Sequence, residues 1–290
     1  MNKRKRKAII DDGMNPELVI GADFDGYLGI PIIHKPDKFI IPSDIVPFTK
    51  RNRIEGNNIA VGFYEMDNEF ADILISPENY LEELRQTILI TPEKAKLFIS
   101  PDCSLYRNAP LAVQISNVYR NRVIGFFFQR NGAYVIPQIR WGNELTYTTR
   151  LLPERAAFLG VEKHSIVAIG TYGCFKTRDD KFHFEAGLAA MMETLEPEIV
   201  LVYGSMNEKV FGSYLKSARF VAYPDWITRV KGGDRYWVAE QAAAMEAVVV
   251  PSLMPHHITL KNTCMKWMSK TALIMTGTMT KIQPLKILTI

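Results

Sequence analysis

Polar and aromatic residues follow directly after several short apolar runs of this chain, and their types suit the chemistry of phosphates and sugars. The carboxylates Asp102 and Glu144 are of the kind that acts as a general acid and base or holds a cation. The cations Arg140 and Lys176 are of the kind that binds a phosphate or a carboxylate. The full set is Asp102, Arg140, Trp141, Glu144, Thr171, Tyr172, Cys174, Lys176, Tyr203, Ser205, Asp225 and Trp226.

We divide this set by side-chain chemistry. The catalytic candidates are Asp102, Glu144 and Lys176. The substrate-binding candidates offer a cation, rings that stack on a base or sugar, and hydrogen-bonding groups. They are Arg140, Trp141, Thr171, Tyr203, Ser205 and Asp225.

Each assignment has a structural alternative. Asp102 stands where an acid commonly caps a helix. Arg140 can instead pair with Glu144 or with a helix end. Trp141 and Trp226 can close the rim of a core, which aromatic residues do more often than they stack on ligands.

Several motifs of well-known enzymes are absent from the sequence. The histidines lack the His-Glu-x-x-His spacing of a zinc site, and the cysteines form no Cys-x-x-Cys pair, so no metal is predicted and the cofactor stays open. Cys174 has no histidine within a motif's reach, which favours an inert thiol. There is no phosphate loop, dinucleotide fingerprint or Gly-x-Ser-x-Gly elbow. The pair Asp23 and Asp25 has the spacing of a cation site but is equally typical of a turn.

The sequence predicts alternating strands and helices, which position these candidates. Apolar runs predict strands over 58–64, 97–100, 134–139, 165–170, 198–202 and 220–223. Helical periodicity, caps and glycine stops predict helices over 78–88, 111–129, 151–159, 182–195 and 207–217. Weaker apolar pieces lie in 18–33.

This alternation is typical of an α/β fold with a mostly parallel sheet built from repeated βα units. The strands are continuous apolar runs, as expected when both faces of a sheet are covered. We favour an irregular or incomplete TIM-like barrel, with an open doubly wound sheet as the alternative. In either architecture the candidate residues meet at the carboxyl ends of the strands.

The composition is that of a globular protein in a reducing compartment. Of 290 residues, 47% are hydrophobic and 23% are charged, and the three cysteines are far apart. A disulfide framework is thereby excluded, and no apolar run reaches the length of a membrane span. The basic residues 3–7 are not followed by an apolar core, so we expect no secretory signal and a cytoplasmic protein.

Charge and periodicity predict three regions of the chain. Residues 1–17 form a basic arm, residues 18–235 a single α/β domain, and residues 236–290 a poorly ordered appendage. From 251 to 290 there are five lysines and no acidic residue. Basic ends of this kind either contact phosphates of nucleic acid or are simply solvated and mobile.

The strand-end motifs resemble domain of unknown function 4417, a family of phages, prophages and mobile elements. The resemblance is carried in order by Ile99-Ser100-Pro101-Asp102, Asn117-Val118-Tyr119-Arg120-Asn121-Arg122, Val135-Ile136-Pro137 with Arg140-Trp141-Gly142, Ala168-Ile169-Gly170-Thr171 with Gly173-Cys174, and Val202-Tyr203-Gly204-Ser205. It covers roughly residues 35–230. It implies a phage or mobile-element origin and one α/β domain, and it implies no particular reaction.

Two functions from different classes remain open. The first is an enzyme whose strand-end pocket acts on a phosphate- or sugar-bearing substrate, such as a nucleotide or a nucleic-acid end. The second is an accessory protein that binds DNA or a host protein and catalyses nothing. Convergence of Asp102, Arg140, Thr171, Lys176 and Tyr203 on one cleft favours the first, and a continuous basic face favours the second.

Overall fold

The computed structural model describes residues 16–53, 58–80, 97–232 and 250–251. All of them belong to the first of two units, Met1–Ser252 and Leu253–Ile290. Most of the predicted basic arm and of the predicted appendage therefore lies outside the described residues.

The described residues form short strands and six helices. The strands are β1 (Phe24–Asp25), β2 (Ile30–Pro31), β3 (Lys38–Phe39), β4 (Asp44–Pro47), β5 (Ile59–Gly62), β6 (Leu97–Ile99), β7 (Tyr134–Ile136), β8 (Ile166–Gly170), β9 (Ile199–Tyr203), β10 (Arg219–Tyr223) and β11 (Val250–Pro251). The helices are α1 (Ala71–Ile75), α2 (Leu111–Arg130), α3 (Glu144–Tyr147), α4 (Arg178–Leu195), α5 (Glu208–Phe211) and α6 (Trp226–Gly232). Short 3₁₀ helices cover Pro16–Val19, Phe48–Arg53, Asp67–Phe70, Pro77–Tyr80, Ala156–Phe158 and Gly212–Tyr214.

The strands from β4 to β10 run parallel, in the order of the sequence. One sheet has the order β4-β5-β6-β7 and a second has the order β10-β9-β8. A parallel bridge between Gln138 and Ala168 links the two sheets, and Ile139 donates its N–H to the Ala168 carbonyl at 2.8 Å. Antiparallel pairs occur in β1 with β2 and in β11 with β3. The predicted α/β fold with a mostly parallel sheet is confirmed.

Both faces of the parallel strands from β4 to β9 are buried, whereas β10 exposes Arg219 and Ala222. One face contributes to a single apolar cluster with members from every strand between β4 and β10, including Ile45, Ala60, Ile99, Ala168 and Val221. The opposite face packs against α4 in one cluster and against α2 in another. This double burial is why the strands are apolar throughout instead of alternating.

The first and last of these strands are joined by side chains and share no strand pairing within the described residues. The Tyr223 hydroxyl at the end of β10 donates to the Pro42 carbonyl at 2.7 Å. Arg229 of α6 forms an ion pair with Asp44 of β4, with Nη2 2.7 Å from Oδ2. The TIM-like barrel is not shown by strand pairing and stays a prediction.

The two long helices follow from their local sequence. α2 agrees with the predicted 111–129, and it ends where Gly132 adopts a φ of +90°, a conformation that favours glycine. α4 begins four residues before the predicted 182. The reason is a capping box, in which Thr177 accepts from the Asp180 N–H while the Asp180 carboxylate accepts from the Thr177 N–H.

Other predicted helices were wrong or lie partly outside the described residues. Residues 151–154 are bends, and only Ala156–Phe158 is helical there, as a 3₁₀ turn. Glu154 and Arg155 instead make long-range hydrogen bonds to the β1–β2 turn and to α4. The predicted 207–217 divides at Gly212 into α5 and a 3₁₀ turn. Of the predicted 78–88, residues 81–88 lie outside the described part.

The Asp23–Asp25 motif leads into a turn over residues 26–29, in line with the turn alternative. Asp25 lies in β1, next to the turn into β2, and its Oδ2 accepts from the Gly160 N–H at 2.9 Å. The carboxylate of Glu154 accepts from the N–H groups of Tyr27 and Leu28 at the tip of the turn. These bonds fix the hairpin against the 154–160 segment.

Candidate functional site

An ion pair between Asp102 and Arg140 occupies the carboxyl ends of β6 and β7. Asp102 follows β6 by three residues and is buried, whereas 34% of the Arg140 side chain is exposed. Arg140 Nη1 lies 2.5 Å from Asp102 Oδ2. The pairing replaces two alternatives considered for these residues, since Asp102 caps none of the described helices and Arg140 pairs with it instead of with Glu144.

Two tyrosines and a glutamine extend this pair across the strand ends. The Tyr64 hydroxyl, just beyond β5, donates to Gln138 Oε1 at 2.6 Å, and Gln138 Nε2 donates to Asp102 Oδ1 at 3.3 Å. The ring of Tyr64 stacks on that of Tyr203, with centroids 4.3 Å apart and planes 8° apart. We call Tyr64, Asp102, Gln138, Arg140 and Tyr203 the strand-end cluster.

The electrostatics of the cluster follow from burial and from the ion pair. Asp102 raises the pKa of Arg140, which therefore stays cationic. Burial raises the pKa of Asp102, an effect that Arg140 and the Gln138 amide partly oppose. Burial, with a smaller contribution from Asp102, raises the pKa of Tyr64 well above its usual value, so its hydroxyl stays protonated.

Glycines allow the next two strand ends to approach the cluster closely. A Cβ on Gly170 would lie 2.9 Å from the Tyr64 ring and 3.9 Å from Asp102 Oδ2. Gly204 has a φ of +111°, and a Cβ there would lie 2.5 Å from Thr171 Oγ1. Thr171 is buried, and its hydroxyl contacts the Tyr203 carbonyl at 3.4 Å. The substrate-binding candidates Thr171 and Tyr203 are thus in direct contact.

Ser205 and Asp225 line a neighbouring cavity of about 300 Å³ at the ends of β9 and β10. Ser205 is exposed, and the remaining lining is Gly204, Ala222, Tyr223, Pro224 and Thr228. The Asp225 carboxylate accepts from the N–H and the hydroxyl of Thr228, so it also caps the start of α6. The Trp226 N–H donates to the Tyr203 hydroxyl at 2.9 Å, which connects this cavity to the cluster.

Two catalytic candidates lie apart from the strand-end cluster. Glu144 is half-buried at the start of α3, and Lys176 is exposed with its Nζ 5.8 Å from the Tyr172 ring centroid. Neither contacts Asp102 within the described residues. Their catalytic roles stay predictions that these positions do not favour. Cys174 is half-buried, and burial raises the pKa of its thiol to about 11, which agrees with an inert thiol.

Trp141 packs into the core beneath α4. Its Nε1 donates to the His183 carbonyl at 3.1 Å, and its ring lies 5.3 Å from that of Phe184. The backbone of Gly187 contacts the indole so closely that a Cβ would overlap the ring. These contacts agree with the alternative in which Trp141 closes the rim of the core.

We expect Gly187→Ala to destabilise the protein by about 1–2 kcal/mol. Alanine favours a helix by about 1 kcal/mol over glycine. Forcing a methyl into a packed core, however, costs about 1–3 kcal/mol. The steric overlap with Trp141 therefore outweighs the gain in helix propensity. Urea unfolding of the variant measures the change. Exposed Ala189 on the same helix provides the calibration, since Ala189→Gly reports propensity alone. A stabilised Gly187→Ala protein would contradict the packing seen here, and the substitution should become stabilising in a Trp141→Leu background.

A buried network on α2 holds the loops that carry the cluster. Ser100 Oγ donates to Asn121 Oδ1 at 2.8 Å and accepts from the Gln138 N–H at 2.7 Å. Asn121 Nδ2 donates to the Pro101 carbonyl at 2.6 Å. The fully buried guanidinium of Arg122 donates to the carbonyls of Gln138, Leu159 and Ala157 and to the Asn121 side chain.

Sequence reasoning missed Tyr64 and Gln138. Tyr64 lies two residues after the end of β5 and meets the same strand-end rule as the other candidates. Gln138 was assigned to the interior of a strand predicted over 134–139, whereas β7 ends at Ile136. The proline at position 137 was the available signal, because proline interrupts a strand ladder.

Metal and membrane sites receive no support from the described residues. Across residues 16–53, 58–80, 97–232 and 250–251, no group of three or more His, Cys, Asp or Glu side chains is arranged to hold a metal ion. No helix within these ranges has the length and apolar character required to cross a bilayer.

Fold and cluster together define a parallel α/β protein with a polar, hydrogen-bonded group at its strand ends. The sequence matches the family model described as Domain of unknown function (DUF4417) over residues 22–224, and the chain belongs to this family. The resemblance drawn from the strand-end motifs is thus confirmed.

Two phage proteins are similar to this chain. It is 30% identical over 174 residues to the Gene 1 protein of Mycobacterium phage L5, covering 57% of this chain and 69% of that protein. It is 29% identical over 148 residues to the Gene 1 protein of Mycobacterium phage D29, covering 51% of this chain and 49% of that protein. The chain thus spans about half of the second relative. No solved structure matches it.

Proposed function

We propose that this protein binds a phosphate-bearing ligand, a nucleotide or a nucleic-acid end, at the strand-end cluster, with Arg140 as the phosphate-binding group. The proposal is supported by the pairing and exposure of the Arg140 side chain. Its guanidinium is held in place by buried Asp102 and is one-third exposed. Within the described residues its only hydrogen bond is the one to Asp102, which leaves further N–H donors for an oxyanion.

The neighbouring strand ends supply contacts for the rest of such a ligand. Parallel strands lie about 4.8 Å apart, so the ends of β7 to β10 span roughly 14 Å. This row leads from Arg140 past Thr171 to the cavity beside Ser205 and Asp225. A phosphate on Arg140 and a sugar or base in the cavity fit this arrangement.

Catalysis at this site would depend on Asp102 more than on the other candidates. Asp102 is the one catalytic candidate in contact with the proposed phosphate-binding group, and burial raises its pKa. A carboxyl with a raised pKa is suited to general acid or base catalysis. Glu144 and Lys176 are not required for binding in this proposal. Conversion of the bound ligand, measured as product formed, distinguishes an enzyme from an accessory binding protein.

The proposed architecture is an incomplete barrel of the seven strands β4 to β10. In an open sheet β4 and β10 would be opposite edges, six strand spacings or roughly 29 Å apart. The hydrogen bond from Tyr223 to the Pro42 carbonyl and the ion pair of Arg229 with Asp44 support a curved arrangement instead. The common apolar cluster of all seven strands supports it as well. Residues 18–235 as one domain and a cytoplasmic location in a host bacterium complete the proposal.

We expect nucleoside phosphates to raise the melting temperature of the protein and Arg140→Gln to weaken that binding by about 10- to 100-fold. A charge-assisted hydrogen bond contributes about 1.5–3 kcal/mol, and bound ligand stabilises in proportion to RT ln(1 + [L]/Kd). The measurement is a thermal-shift titration with mono-, di- and triphosphates, with and without Mg²⁺.

Two variants control this experiment. Arg140→Lys retains the charge next to Asp102 but loses the planar fork, and should bind with intermediate affinity. Arg219→Gln removes an exposed arginine at the amino end of β10, the opposite end of the strands, and should leave binding unchanged. Equal ligand-induced shifts in wild type and Arg140→Gln would refute the proposal.

A further inference from the structure

A surface with two exposed rings and two cations between them in sequence begins where β8 ends. Tyr172 follows buried Thr171, and its side chain is 66% exposed. Lys176 closes the same loop with its Nζ 5.8 Å from the Tyr172 ring centroid. Arg178 opens α4, and Phe182 lies one turn further along the helix. We call Tyr172, Lys176, Arg178 and Phe182 the aromatic–basic stripe.

Phe182 is 63% exposed on the surface of a long helix. Residues four apart lie on the same face of a helix, so Phe182 and Arg178 are neighbours. Lys181 precedes Phe182 and is also exposed. The stripe therefore repeats one arrangement twice, with an exposed ring beside an exposed cation.

The acidic residues nearby are already engaged. Arg107 forms ion pairs with both Asp179 and Asp180. Asp180 also completes the capping box with Thr177, so the first turn of α4 satisfies its own N–H groups. In contrast, Lys176 and Arg178 form no ion pair with any described residue. Two cations flanked by two exposed rings are thus available to an external ligand.

We propose that the aromatic–basic stripe binds single-stranded DNA and leads it to the strand-end cluster. Rings that stack on unpaired bases, alternating with cations that meet phosphates, are the features by which proteins hold single strands without reading sequence. Duplex bases are stacked on each other and unavailable to these rings. RNA differs from DNA by its 2′-hydroxyl, for which this inference assigns no partner, and the test below compares the two.

The stripe lies beside the site of the proposed function. The inference rests on that function for where the end of the bound DNA lies. The stripe starts two residues after Gly170, at which a Cβ would lie 3.9 Å from Asp102 Oδ2. The Cys174 thiol of the same loop is close enough to Arg140 that the two influence each other's pKa. A strand on the stripe therefore delivers its terminal phosphate toward Arg140.

The test measures binding of a fluorescein-labelled oligothymidylate of about ten nucleotides by anisotropy at several salt concentrations. We expect Tyr172→Ala and Phe182→Ala each to weaken binding by about tenfold. Tyr106→Ala, a ring exposed to 64% in the loop after β6, is the matched control and should leave binding unchanged. Replacing Lys176 and Arg178 by glutamine should reduce the slope of log K against log salt by about 1.4, since each phosphate contact contributes about 0.7.

The outcomes separate this inference from the proposed function. Loss of oligonucleotide binding in Tyr172→Ala/Phe182→Ala, with an unchanged nucleotide-induced melting shift, supports the stripe. Wild-type oligonucleotide affinity in that variant, tighter binding of duplex, or tighter binding of oligouridylate would overturn it while leaving the nucleotide result intact. Conversely, stripe-dependent binding without any nucleotide shift would leave the stripe standing and remove the Arg140 site.

Discussion

Arg122→Met is expected to destabilise the protein by about 3–5 kcal/mol. The Arg122 guanidinium is fully buried and donates to three carbonyls and one side-chain oxygen. Its acceptors are neutral, and burial accordingly lowers the pKa of the group. Methionine fills a similar volume but leaves the buried Leu159 and Ala157 carbonyls without this donor, at about 1–3 kcal/mol each when no relaxation occurs. The Asn121 and Gln138 oxygens each keep a second donor. The free energy of unfolding from urea titration measures the loss.

Two companion variants separate the hydrogen bonds from the loss of a charge. Arg122→Lys keeps the charge but offers one compact ammonium group instead of the guanidinium. It should therefore recover part of the lost free energy of unfolding. Arg150→Met removes an exposed arginine and should change stability by less than about 0.5 kcal/mol. An Arg122→Met protein as stable as Arg150→Met would show that the network of α2 does not hold the loops together.

Stability should fall steeply as the pH rises above 10, because buried tyrosines, among them Tyr203 and Tyr223, keep their protons in the folded protein. Burial raises the pKa of Tyr203 to about 12 and raises the pKa of Tyr223 as well. In the unfolded chain both lose the proton near pH 10. The folded state then binds more protons than the unfolded state, so the stabilising contribution, complete below pH 10, is lost on the way to pH 12. Each tyrosine contributes about 1.4 kcal/mol per pH unit, or roughly 3 kcal/mol for both at pH 11.

The measurement compares unfolding free energies at pH 9 and pH 11 in wild type and in Tyr203→Phe/Tyr223→Phe. The double variant is expected to be less stable at pH 9, because Tyr223 loses its bond to Pro42, but to lose about 3 kcal/mol less between the two pH values. Tyr172→Phe, at an exposed position, should follow the wild-type slope. Identical slopes in wild type and the double variant would contradict the burial of these two hydroxyls.

The parallel strands and the long helix α2 could be predicted because local and tertiary preferences agree there. Runs such as Ile199–Tyr203 are apolar throughout, and burial on both faces requires that pattern. Failure came where distant contacts dominated local propensity. Glu154 and Arg155 look helical in sequence, but their side chains reach the β1–β2 turn and α4. The backbone there follows those contacts instead of closing a helix.

The sequence predicted where the candidate site lies, but only some of the residues that form it. The strand-end rule selected Asp102, Arg140, Thr171 and Tyr203, which do lie at neighbouring strand ends. It could not determine where long side chains point, and Lys176 folds toward Tyr172 instead of Asp102. Pairing partners such as Gln138 depend on the exact residue at which a strand ends, which periodicity defines poorly.

The contacts that join β4 to α6 can form only late in the synthesis of this protein. Asp44 and Arg229 are 185 positions apart. At about 5–20 residues per second, a ribosome needs roughly ten to forty seconds between releasing the first and the second. During that interval the early strands have emerged with their inner face uncovered, so the nascent chain is exposed to aggregation and to chaperones for most of its synthesis.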